Sequence, residues 1–65
     1  MLFRSTKTLK AQAQAGIAKA QYELGRKYET GAKDLPKDLS YALSWYEEAA
    51  RNGHKRAAAR LKALQ

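Results

Sequence analysis

Small and aromatic residues recur at fixed offsets through the middle of this 65-residue chain. They read Ala20-Gln21-Tyr22, Leu24-Gly25, Tyr28 and Gly31, then Asp38, Ala42, Trp45-Tyr46, Ala49-Ala50, Gly53, Ala57 and Leu61. Small residues at helical spacing let two helices approach closely, and aromatic rings between them fill the remaining space. The glycines stand where the chain must turn. The pattern specifies repeated helical hairpins, a construction that mainly serves to hold other proteins.

Four helical segments are legible. The first is predicted over residues 5–15, with Ser5 or Thr6 as its N-cap and Gly16 as its stop. The second covers 17–30, where Ile17, Gln21, Leu24 and Tyr28 share one stripe, Ala20 and Gly25 permit close approach, and Gly31 ends the helix. In the loop that follows, Pro36 keeps Leu35 extended. Asp38 stands where an N-cap belongs, and Leu35 is placed to pack back as a staple. The third helix is predicted over 39–52, with Leu39, Ala42, Leu43, Tyr46, Ala49 and Ala50 on its apolar face and Tyr41 and Trp45 to one side. Gly53 closes it. The fourth covers 54–63 and has a narrow seam of Ala57, Leu61 and Leu64.

The chain also matches itself at an offset of 37: Ala13 with Ala50, Gly16 with Gly53, Ala20 with Ala57, Leu24 with Leu61. The first helix thus corresponds to the third and the second to the fourth. A period of this length marks a helical solenoid.

At these residues the chain resembles the Sel1-like repeat, a relative of the tetratricopeptide repeat. The family pattern is Ala-Gln-Tyr, Leu-Gly, Tyr, a Gly-x-Gly loop, Asp, Ala, Trp-Tyr, Ala-Ala and Gly. Here it reads AQYELGRKYETG and then DLSYALSWYEEAARNGHKRA, a resemblance covering residues 16–61. The chain departs from the pattern in three places. Lys33-Asp34 replaces the second loop glycine, Thr8-Leu9 stands for the Trp-Tyr pair in the first helix, and Ala58-Ala59 stands for Gln-Tyr in the fourth. Degenerate end units are what caps require. The resemblance implies an all-α fold, a short right-handed α-α superhelix (a mini-solenoid) of about four antiparallel helices. Residues 1–65 would form one domain: a capping helix over 1–15, one full repeat over 16–53 and a C-terminal half-repeat helix over 54–65. It implies protein binding and no catalysis.

Composition sharpens that expectation. Thirteen of the apolar residues are Ala, and there is no Cys to add a disulfide or a thiolate metal site. A core this light supplies on the order of 3–5 kcal/mol, so a bound partner or self-association would add needed stability. Net charge is +7, and every acid lies between Glu23 and Glu48. The basic ends favour an acidic partner surface or a polyanion. No stretch is apolar enough to span a membrane, and Met1-Leu2-Phe3 is too short for a signal-peptide core. The Met start and short length are those of a stand-alone small protein, expected in the cytoplasm.

Catalytic, cofactor and metal residues are expected to be none. His54 has no Cys or carboxylate cluster around it in sequence. Glu47 and Glu48 are neighbours on a helix and point in different directions. Ser5, Ser40 and Ser44 lack His and Asp companions, and no glycine loop is built to cradle phosphate. The expected function is therefore a small non-catalytic module that docks on a larger protein as adaptor, regulator or inhibitor. Tyr22, Tyr28, Tyr41 and Trp45 would be its aromatic anchors, and Arg51, Lys55, Arg56 and Arg60 its basic rim. One alternative is a nucleic-acid-binding accessory protein that uses the basic ends, though a recognisable binding motif is lacking. The other is a self-assembling protein or homodimer that stacks through Leu9 at one end and Leu61 and Leu64 at the other.

Overall fold

Four α-helices follow one another, α1 (Thr6–Gln14), α2 (Ala18–Thr30), α3 (Leu39–Arg51) and α4 (Lys55–Leu64). The structure, a computed structural model, describes residues 6–33 and 35–65. The Ser5 cap, the Met1-Leu2-Phe3 start and Asp34 lie outside the described residues. Each helix packs against the next in chain order, α1 on α2, α2 on α3 and α3 on α4. The fold is an all-α helical repeat.

The two short turns repeat each other bond for bond. Gly16 and Gly53 both take φ of 91°, which only glycine adopts without strain. In the first turn the Ile17 N–H reaches back to the Gln12 carbonyl and the Gly16 N–H to Ala13; in the second, His54 reaches Ala49 and Gly53 reaches Ala50. This is the Schellman pattern, which satisfies carbonyls that a helix end leaves without partners. Both donor–acceptor pairs of the first turn recur in the second at the offset of 37 seen in the sequence. The repeat is thus one of hydrogen bonding as well as residue type.

The α2–α3 connection is longer. Gly31 leaves α2 with φ of 85°. Ala32 and Leu35 exchange two backbone bonds, and the Asp38 N–H binds the Tyr28 carbonyl. Asp38 caps α3, its Oδ1 accepting the Tyr41 N–H at 3.1 Å. Leu35, in the same loop, is buried in the core cluster.

Alanines set the helix spacing. Ala20, Ala42, Ala49 and Ala57 are fully buried, and Leu9, Leu24, Leu35, Tyr28 and Tyr46 fill the space around them. Ile17 and Leu39, expected on apolar stripes, are instead 46% and 45% exposed. Ile17 is the N-cap of α2 with extended backbone, so helical periodicity does not govern its side chain. Leu39 is the first residue of α3, where the stripe has not yet met its neighbour.

Two polar links cross the stack. Buried Gln21 donates to the Ala13 carbonyl at 2.9 Å and accepts from Asn52 Nδ2 at 3.0 Å, joining α2 to α1 and to the end of α3. Glu29 accepts the Tyr46 hydroxyl at 2.6 Å and the Arg60 guanidinium through both carboxylate oxygens, joining α2, α3 and α4.

Candidate docking site

Helices α2 and α4 are bridged twice, by Tyr22 with His54 and by Glu29 with Arg60. The bridges advance in the same order along both helices, so the two run side by side in one direction. Between their N-terminal halves lies a cleft of about 540 Å³. Lys19, Tyr22 and Glu23 line it from α2; Gly53, His54, Lys55 and Arg56 line it from the turn and first residues of α4.

The Gly53 turn decides where His54 goes. It makes residue 54 the N-cap of α4, and His54 Nδ1 accepts the Ala57 N–H at 3.1 Å. The imidazole then stacks on Tyr22 with centroids 4.5 Å apart and planes 19° from parallel. Tyr22 leans on Tyr46 at 5.8 Å, Arg26 lies over its ring, and its hydroxyl accepts a hydrogen bond from Arg26. The floor of the cleft is therefore an interlocked aromatic cluster, not a set of separate rings.

The walls are basic. Three cations, Lys19, Lys55 and Arg56, and one carboxylate, Glu23, give a net charge of +2. Among the described residues the ion pairs are Arg51 with Glu48 and Arg60 with Glu29, and neither uses a cleft cation. Glu29, the other α2 bridge to α4, has a side chain only 10% exposed. Its hydrogen bonds from Arg60, helped by Tyr46, hold its carboxyl down at about 2 against the opposing effect of burial. Burial, reinforced by the hydrogen bond to Glu29, pushes the Tyr46 phenol well above its usual range.

The eight docking residues expected from sequence do not form one surface. Tyr22, Lys55 and Arg56 meet at the cleft. Tyr28, Tyr41 and Trp45 make a separate aromatic row, with Tyr28 edge-on to Tyr41 at 4.6 Å and Tyr41 edge-on to Trp45 at 6.4 Å. Only Tyr41 of this row is fully at the surface, 47% exposed; Tyr28 is buried and supports Tyr41 from beneath instead of presenting an anchor of its own. The Trp45 indole N–H is buried with no acceptor among the described residues. Arg51 pairs with Glu48 on the exposed side of α3. Arg60 is held by Glu29, so it is a tie between helices instead of a free rim cation.

Sequence reading missed Lys19 and His54 as cleft residues. The offset of 37 contained the signal, because Lys19 corresponds to Arg56 and Ile17 to His54. Equivalent positions on α2 and α4 supply a cation to each side.

The family model of the Sel1 repeat matches residues 18–54. The chain belongs to the Sel1 repeat family. The Sel1 match begins at the first residue of α2 and ends on the cap of α4, so it takes in Tyr22 and His54 together. Sel1 repeats mediate protein–protein interaction. The chain is 48% identical over 50 residues to the chitin synthase regulator SKT5 of Saccharomyces cerevisiae, a stretch covering 77% of the chain and 7% of that relative. It is 42% identical over 55 residues to the chitin synthase regulator SKT5 of Malassezia restricta, covering 85% of the chain and 4% of that relative. The chain thus spans less than a tenth of the length of these relatives. No solved structure matches it. Among the described residues, no helix is long and apolar enough to cross a membrane.

Proposed function

We propose that this Sel1 repeat is a non-catalytic docking module that regulates a larger protein, as adaptor or inhibitor, by holding a segment of it in the cleft between α2 and α4. The observation that carries the reading is the joining of the two helices by the Tyr22–His54 stack, which keeps a cleft open between cations from both. A fixed cleft binds without first paying to assemble itself. The basic walls favour an acidic partner surface. Two relatives named chitin synthase regulators support a regulatory role, and they make a synthase of that kind the first target to try.

Capture from lysate at moderate salt tests the proposal. The wild-type chain and a Tyr22→Ala variant are used, each with and without nuclease. A protein retained by the wild type after nuclease and lost with Tyr22→Ala supports cleft docking. Loss of all bound material after nuclease moves the function to nucleic acid and refutes it.

A further inference from the structure

We infer that the cleft between α2 and α4 takes a short, extended, acidic peptide segment, with carboxylates on Lys19, Lys55 and Arg56 and a neighbouring apolar side chain over the Tyr22–His54 stack. The inference rests on the docking reading and names the chemistry of what docks. Its size argument is direct: about 540 Å³ falls within the range of about 300–1,000 Å³ typical of small-ligand sites, room for a few residues.

The charge argument comes next. Three cations reach the cleft from two helices, and among the described residues none is neutralised by an ion pair. The first turn of α4 carries no acid. Arg60, the cation that would have extended the patch along α4, is taken by Glu29. The cations that remain at the cleft suit two or three carboxylates.

The aromatic floor separates peptide from nucleic acid. Single-stranded nucleic acids are gripped by stacking bases on free ring faces. His54 already stacks on Tyr22, and Arg26 lies over the same ring. A floor whose rings already engage one another gives an apolar side chain something to pack on and offers a base less free ring face than an isolated aromatic would.

Titration of the full chain, followed by its backbone amide resonances, tests this. The probes are the acetylated peptide Asp-Asp-Leu-Asp-Asp-Leu, the same peptide with Asn for every Asp, and hexauridylate. The expected result is that the Asp peptide shifts the amides of Lys19, Tyr22, His54 and Arg56 while the other two do not. The double variant Lys55→Gln, Arg56→Gln should weaken that binding about tenfold or more, with Lys10→Gln on α1 unchanged. Equal shifts from the Asn peptide would overturn the acidic inference and leave cleft docking intact. Shifts elsewhere, or none, would overturn both. Preference for hexauridylate would assign the charge to nucleic acid and overturn the peptide. Far-ultraviolet circular dichroism of each variant separates lost binding from lost fold.

Discussion

Gly25 faces the ring of Tyr46 with no room for a side chain: a Cβ at residue 25 would lie 2.7 Å from Tyr46 Cε1 and 2.8 Å from Cδ1. The ring cannot retreat, because it is fully buried and its hydroxyl is bound to Glu29. Alanine would raise the helix propensity of α2 by about 1 kcal/mol, but overpacking a rigid contact costs about 1–3 kcal/mol. Gly25→Ala is expected to lower the unfolding free energy by up to about 2 kcal/mol, measured in urea. In Gly25→Ala combined with Tyr46→Leu, the two costs should be markedly less than additive. A Gly25→Ala chain more stable than the wild type would show that α2 and α3 are not this close.

Glu29 makes stability depend on acid. Its carboxyl sits at about 2 in the folded chain and at about 4.3 in an unfolded one. Folding therefore favours the ionised form, so the stabilisation is fully present above the unfolded value and is lost as pH falls from there toward the folded one. Glu29→Gln should cost about 1–3 kcal/mol at neutral pH, lowering Tm by several degrees. It should also flatten the fall in Tm with acid over that window. Parallel Tm curves for the two chains between neutrality and pH 2 would rule out this link as the source of acid sensitivity.

The fold was legible because the residues that set it act locally. Gly16 and Gly53 end helices through their own backbone freedom, and Asp38 caps α3 from three residues away. Ala20 and Ala57 mark close packing by their size alone. The site was less legible because it depends on which distant side chains meet. Arg60 lies 31 residues from Glu29, and nothing in the local pattern separates it from Arg56, one turn away. Tyr28 and Tyr41 are both aromatic residues beside a stripe, yet one is buried and the other, packed edge-on against it, is half exposed. Ile17 and Leu39 fit apolar stripes in sequence and are exposed because each lies at a helix start.

Gln21 should behave as a core residue in spite of its polarity. Its amide donates to the Ala13 carbonyl and accepts from Asn52, so it links three helices at the 37-residue turns. Replacing it with Leu removes both bonds, leaving the Ala13 carbonyl to the Gly16 N–H alone, and the two together cost about 1–3 kcal/mol. Asn52→Ala removes only the more exposed of the two bonds and should cost about 1 kcal/mol. Denaturant midpoints for the two variants should therefore rank wild type, Asn52→Ala, Gln21→Leu. The reverse order of the variants would place the main tie on Asn52.

His54 joins the stability of α4 to the shape of the cleft, and two substitutions separate these roles. His54→Ala removes both the Ala57 N–H acceptor and the ring stacked on Tyr22. Loss of a side-chain N-cap costs about 1 kcal/mol. His54→Asp restores an N-cap acceptor, and its charge suits the start of a helix, so most of that stability should return. The aromatic floor does not return with it, and a carboxylate now stands among Lys19, Lys55 and Arg56. The expected pattern is thus a His54→Asp chain close to wild type in Tm but deficient in binding any acidic partner, and a His54→Ala chain deficient in both. Recovery of binding along with Tm in His54→Asp would show that His54 serves the helix alone and that the cleft does not depend on its ring.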